Sequence, residues 1–164
     1  MIIIKKIFIL VVTVFFLHSP LYAAGSGNDG PKKLKNYELA KNKIKKAKKL
    51  EKKGKDEKAQ KLYKTSLKYL LKANKQAPAD PDTLNYLGFV SRKLGKFNDA
   101  EVYYLLGLDI EPNHKGINEY LGELYVITKR IKMARERLEV LKTCNCEEYN
   151  ELKEVIAGTK KSKY

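Results

Sequence analysis

Stacked helical hairpins, an all-α fold class, are what this sequence predicts, on three observations. Leu87-Gly88 and Leu121-Gly122 are the same dipeptide 34 residues apart. Ala100 and Ala134 repeat at the same spacing, and so do Pro78 and Pro112. A fixed period in this range marks a repeat array, in which each unit is one supersecondary hairpin that buries its apolar face only against its neighbours. Such a stack builds its own core and leaves a groove, so the expected work is to hold a partner.

The elements follow in chain order. Lys5 and Lys6 precede a run from Ile7 to Leu17 without a charge, and then comes Ser19-Pro20-Leu21-Tyr22-Ala23-Ala24. A basic start, an apolar stretch of roughly 7–15 residues and small residues at a cleavage point describe a secretory signal. Residues 1–23 are expected to leave by cleavage after Ala23, giving a periplasmic or secreted protein. The alternative is an uncleaved inner-membrane anchor, but the run is shorter than the roughly 20 residues that span a bilayer. Residues 24–33, with three glycines and Pro31, read as a flexible leader.

The first hairpin, about residues 40–80, is the irregular one. Gly54, Ala59 and Tyr63 precede Gly95, Ala100 and Tyr104 by 41 residues, yet Pro78 precedes Pro112 by only 34. Seven extra residues therefore fall between Tyr63 and Pro78, which lengthens the second helix by about two turns and drifts its apolar face by only about 20°. Tyr37, Ala40, Ile44, Ala47 and Leu50 supply the apolar stripe of its first helix.

The second hairpin, 81–114, opens at Pro81 between Asp80 and Asp82, where Asp caps the helix and favours its dipole. Leu84, Leu87 and Tyr104 form its stripe, Gly88 and Ala100 allow close helix approach, Gly95 sits in the turn, and Pro112 restrains the exit. The third, 115–146, carries Leu121, Gly122, Tyr125, Ala134 and Leu138. A seventh helix, 147–157, sets Tyr149, Leu152, Val155 and Ile156 against Glu148, Glu151 and Glu154, the polar-backed cap that a repeat stack needs. Gly158 to Tyr164 reads as a disordered basic tail.

With Pro81 as position 1, Leu84, Leu87, Gly88, Ala100, Tyr104, Gly107 and Pro112 fall at positions 4, 7, 8, 20, 24, 27 and 32 of a 34-residue unit. This pattern resembles the tetratricopeptide repeat. The resemblance covers roughly residues 40–146 and implies a right-handed stack of about three hairpins, the first degenerate with an elongated second helix, plus the capping helix. Departures are Ser91 at position 11, Asn118 at position 4 and Cys146 at position 32, while Lys43 and Lys46 stand at positions 4 and 7 of the first unit. The ending Cys-Asn-Cys-Glu-Glu-Tyr-Asn-Glu-Leu-Lys also resembles small exported proteobacterial members of this family.

The resemblance further implies that positions 2, 5, 9 and 12 of each first helix point into a concave groove. These are Lys41, Ile44, Lys48 and Glu51, then Asp82, Asn85, Phe89 and Arg92, then Gly116, Glu119, Glu123 and Val126. The groove is expected to be basic at one end and acidic at the other, with Phe89 as an apolar anchor between. Phe89→Ala or Asn85→Ala is expected to abolish partner capture and leave melting unchanged. The family's two-carboxylate clamp is not recognisable at these positions, so its ligand class does not carry over.

Cys144 and Cys146 are the only cysteines. A bridge needs Cα atoms about 4.4–6.8 Å apart with side chains turned together. A loop disulfide, two separate thiols and pairing between chains all remain open. Two cysteines are too few ligands for a structural metal site; no metal and no cofactor are expected.

The formal charge of +15 is uneven: residues 32–76 hold 18 lysines against four acidic residues, whereas residues 77–164 balance. Lys41, Lys45, Lys48, Lys49, Lys52, Lys55, Lys58, Lys61, Lys64, Lys68, Lys72 and Lys75 read first as a solvated helix face. The rival reading is a patch for anionic membrane or a polyanionic envelope polymer, where each lysine contributes on the order of 1 kcal/mol. Basic charge alone gives nonspecific phosphate affinity, but no nucleic-acid motif accompanies it. Ser66 and Ser91 have no partnering histidine, and the sequence contains no phosphate loop or dinucleotide fingerprint. The expected protein is an exported, non-catalytic scaffold that binds a protein or peptide partner, with self-association through unpaired repeat ends as a further possibility.

Overall fold

The computed structural model describes residues 30–162 and folds them into seven helices. These are α1 (Gly30–Glu51), α2 (Asp56–Gln76), α3 (Pro81–Lys93), α4 (Phe97–Ile110), α5 (Lys115–Ile127), α6 (Ile131–Leu141) and α7 (Glu147–Ala157). The expected signal 1–23 and residues 24–29 of the leader lie outside the described residues. Gly30 to Lys33 do not belong to a leader: they are the first turn of α1. Pro31 explains this, because the first helical turn needs no proline N–H and the ring presets φ for the helix.

Successive helices pair as α1–α2, α3–α4 and α5–α6, and α7 packs on α5 and α6. Odd-numbered helices also touch one another, α3 against α5 and α5 against α7, with Tyr37 of α1 against Tyr86 of α3, so they form one layer. All three hairpins turn alike. Gly54, Gly95 and Lys129 each adopt positive φ, and the next amide closes back on the first helix: Lys55 N on Leu50 O, Lys96 N on Ser91 O, Arg130 N on Tyr125 O. This left-handed closure satisfies carbonyls that a helix end leaves open.

The core repeats with the hairpins. Ala59 and Tyr63, Ala100 and Tyr104, and Ala134 are fully buried on the second helices. Ala40, Ile44 and Ala47, then Leu84 and Leu87, then Ile117 and Leu121, fill the first helices. A Cβ on Gly88 would stand 2.5 and 2.7 Å from Tyr104 Cδ1 and Cζ, so glycine is what lets that ring lie across α3. Gly122 occupies the same repeat position with a different partner: its space is filled by Leu152 of α7. Lys46, at the position where Leu87 and Leu121 are buried, is exposed; among the described residues α1 has a neighbouring hairpin on one side only.

The helix α2 spans 21 residues and α4 spans 14, which is the seven-residue extension. Asp80 accepts from the Thr83 N–H and from its hydroxyl, capping α3. His114 caps α5 by accepting from Ile117 N at 3.2 Å. Asn118, the polar departure at position 4, is fully buried, and its amide donates to Pro112 O and His114 O at 3.0 Å each. It closes the turn that enters the third hairpin.

Cys144 and Cys146 are bridged, with Cα atoms 5.2 Å apart and Asn145 between them at positive φ. Asn tolerates that conformation better than most residues. Cys146 stands where the earlier units have Pro78 and Pro112, so a covalent link closes the turn that proline closes elsewhere. The tail is not without structure over its described length. Gly158 ends α7 in the left-handed region, and Thr159 N and Lys160 N both donate to Glu154 O.

Candidate functional site

The inner layer of α1, α3, α5 and α7 carries every residue expected in the groove, and the structure divides them into two groups. The first group lies between α1 and α3. Lys48, Glu51, Lys52, Phe89 and Lys93 line a hollow of about 510 Å³. A second hollow, of about 380 Å³, adjoins it through Lys48 and reaches Lys41, Lys45 and Tyr86. Lysines dominate both rims.

Phe89 is the floor of the first hollow and not an exposed anchor: only 1% of it is accessible. Its ring meets Tyr63 edge-on at 6.1 Å and Tyr120 at 5.6 Å, and the Lys48 ammonium stands 4.3 Å above it. Glu51 is held between Tyr63 OH at 2.9 Å and Lys93 Nζ at 2.6 Å. Burial, then the hydrogen bond to Glu51, push the Tyr63 phenol well above its ordinary range, so it stays a donor. Lys41 pairs with Glu38 at 3.2 Å and lies over the Tyr37 ring. Asn85 is half-buried against the start of α5, where a Cβ on Gly116 would meet its amide nitrogen at 2.9 Å.

The second group is closed off. Arg92, Glu119 and Glu123 are buried, where an open groove would leave them in solvent. Arg92 donates to Glu123 Oε2 at 3.1 Å and to Tyr120 O at 2.7 Å, and the Arg92–Glu123 pair is fully shielded from water. The cause is local cover: α3 and α7 flank α5, and Arg92 of α3 together with Ser162, past the end of α7, closes over Glu123. Phe89→Ala therefore removes a core ring at a cost of about 3–5 kcal/mol, and the expectation of unchanged melting is corrected accordingly.

Several residues of this face were not singled out from the sequence. Lys93 follows Arg92 directly and was passed over because it lies outside the groove positions. Lys52 and Tyr37 enter the sequence reading as part of a lysine face and a helix stripe, and their place on this face comes from α1 lying beside α3, with Tyr37 against Tyr86. Lys160 and Ser162 are obscured by the reading of a loose tail, and Glu151, expected on the polar back of α7, is the partner of Lys160. The one signal for them was Gly158, placed just past the last apolar residue of α7 as helix C-caps are.

No metal-binding cluster of three or more His, Cys, Asp or Glu occurs among the described residues. No described helix is long and apolar enough to cross a membrane. No known protein-family model matches the chain, and no curated protein matches it. Among solved structures it is similar to the first TPR domain of Spaghetti (RPAP3) bound to the HSP90 peptide SRMEEVD. That likeness has a TM-score of 0.52 and 21% identity, covering 75% of this chain and 94% of that one. At this identity the likeness concerns the fold. The seven helices of this chain are a tetratricopeptide-repeat fold of three hairpins and a capping helix.

Proposed function

We propose that this protein is an exported, non-catalytic scaffold that captures an extended segment of a protein partner between α1 and α3, and that the segment is acidic. One observation carries the reading: the 510 Å³ hollow with an aromatic floor, Phe89, and three lysines, Lys48, Lys52 and Lys93, around it. A carboxylate entering there meets ammonium groups in a partly desolvated site, where charge-assisted hydrogen bonds are at their strongest. The adjoining hollow with Lys41 and Lys45 extends the same chemistry along α1. The structure this fold resembles holds a bound peptide, which supports peptide capture in general; the acidic class rests on the lysines of this hollow alone.

The test uses a labelled Glu/Asp-rich heptapeptide and its Lys-substituted counterpart, titrated into the protein and into Lys48→Glu/Lys52→Glu. The acidic peptide should bind preferentially and lose at least tenfold on the double substitution. Equal binding of the two peptides, or indifference to the substitutions, would sink the assignment.

A second reading is favoured by a separate observation: twelve lysines from Lys45 to Lys75 are solvent-exposed. That surface suits anionic membrane or a polyanion. It predicts co-sedimentation with phosphatidylglycerol vesicles that high salt abolishes and that Lys48→Glu/Lys52→Glu weakens no more than the same reversal at the exposed α2 lysines Lys61 and Lys64.

A further inference from the structure

The other half of the inner layer is occupied by residues 159–162, the segment that follows α7. After Gly158 the backbone reverses and runs back along α7. Lys160 Nζ lies 2.6 Å from Glu151 Oε1 and 3.6 Å from Glu154 Oε2. Two residues on, Ser162 Oγ donates to Glu123 Oε2 at 2.9 Å, 39 positions upstream on α5. That same carboxylate oxygen receives Arg92 from α3. The tail thus touches α7 and α5 directly and reaches α3 through one shared carboxylate.

Three features argue for recognition over chance collapse. The contacts are specific by chemistry, an ammonium on two carboxylates and a hydroxyl on a third. Glu123 is fully buried, so Ser162 donates to an oxygen that bulk water does not reach. The charges are complementary: residues 159–162 contain two lysines and no acid, and Lys160 pairs with Glu151 and Glu154.

We infer that the α5–α7 half of the inner layer is a binding subsite for a short basic lysine-x-serine segment, filled in cis by residues 159–162. A partner segment that occupies the whole face must displace it. The inference stands on the tail's own contacts and does not depend on an acidic partner binding between α1 and α3.

The test uses the full chain and, as probe, a fluorescein-labelled peptide with the sequence of residues 158–164. In Lys160→Glu/Ser162→Asp the introduced carboxylates face Glu123, Glu151 and Glu154, which should eject the tail and vacate the subsite. Fluorescence anisotropy at low salt should then show the probe binding this variant at least tenfold more tightly than the wild-type chain. Adding Glu151→Gln should reverse most of that gain. Equal affinity for both proteins, or no binding to the variant, overturns the subsite. Trypsin digestion of the wild-type chain checks the same point without a substitution. Cleavage after Lys160 and Lys161 should be at least tenfold slower than in the free peptide, and equal rates would overturn the docked tail. Neither measurement involves an acidic partner, so failure here leaves the α1–α3 reading to its own experiment.

Discussion

Gly88→Ala tests the contact that sets the spacing of the central hairpin. The added Cβ would stand 2.5 Å from Tyr104 Cδ1 and 2.7 Å from Cζ, against an ordinary contact distance near 3.5–4.0 Å. The ring or the whole of α4 must therefore retreat by about 1 Å. Tyr104 is fully buried, so nothing on its far side gives way into solvent. Overpacking of this kind costs typically about 1–3 kcal/mol, and a rigid ring against backbone places it near the upper end. Alanine recovers about 1 kcal/mol of helix propensity over glycine, which leaves a net loss of about 2 kcal/mol. Thermal melting followed by circular dichroism should fall by about 5–10 °C for a domain of this size. The same substitution made in a Tyr104→Leu background should cost at least about 1 kcal/mol less, since the two sites are coupled through the clash. An unchanged or raised melting point, or strict additivity of the pair, would refute the packing argument.

Two further predictions use the other hairpin junctions. Arg130 donates to both oxygens of Glu101 at 2.7 Å, and this hydrogen bonding, offset in part by burial, holds the Glu101 carboxyl below its ordinary value of 4.5. A depressed folded-state pKa contributes stability above the unfolded value and loses it as the pH falls through the folded one. Wild type should therefore out-melt Glu101→Gln by about 1 kcal/mol near neutral pH, after solvent screening, and the gap should close as the pH falls below that ordinary value; a gap that persists in acid would contradict the ion pair. Replacing Cys144 and Cys146 by serine removes a three-residue loop constraint of about 1.5 kcal/mol, and hydrogen exchange should quicken in α7 while α3 and α4 stay protected. Uniform acceleration through all seven helices would show that the bridge supports more than the cap.

The hairpins were legible because their determinants are local and periodic. Gly88, Ala100 and Tyr104 state which faces meet inside one hairpin, and that message survives without knowledge of the neighbours. The long α2 was legible from arithmetic alone, since two landmarks shifted by 41 residues and a third by 34. Gly122 was harder. By its equivalence to Gly88 its smallness points to room within its own hairpin, yet Leu152 of α7 takes the space. The capping helix does not belong to the repeat, so the period carries no information about what it inserts. The leader misled for a local reason: Gly30-Pro31 reads as a break, and the same residues suit a helix start.

The site was legible in its polarity and wrong in its accessibility, and the two failures share one cause. Helical periodicity assigns Phe89, Arg92, Glu119 and Glu123 to one direction around their helices, and the structure keeps that direction. It does not say whether the direction ends in water. Phe89 is covered by Lys48 from the preceding hairpin, and Glu123 by Arg92 from α3 and Ser162 from the tail. Each cover comes from a segment with its own sequence logic, 31 to 41 residues away for the three contacts named. A buried charge demands a partner, so three neighbouring groove positions, one basic (Arg92) and two acidic (Glu119 and Glu123), are a reason to expect pairing across the face. Read that way, Arg92 and Glu123 meet at the boundary between a lysine-rimmed half and a carboxylate-rimmed half. A segment lying along this inner layer meets ammonium groups first and carboxylates second. Charge complementarity of that order selects the direction in which the segment lies as well as its composition.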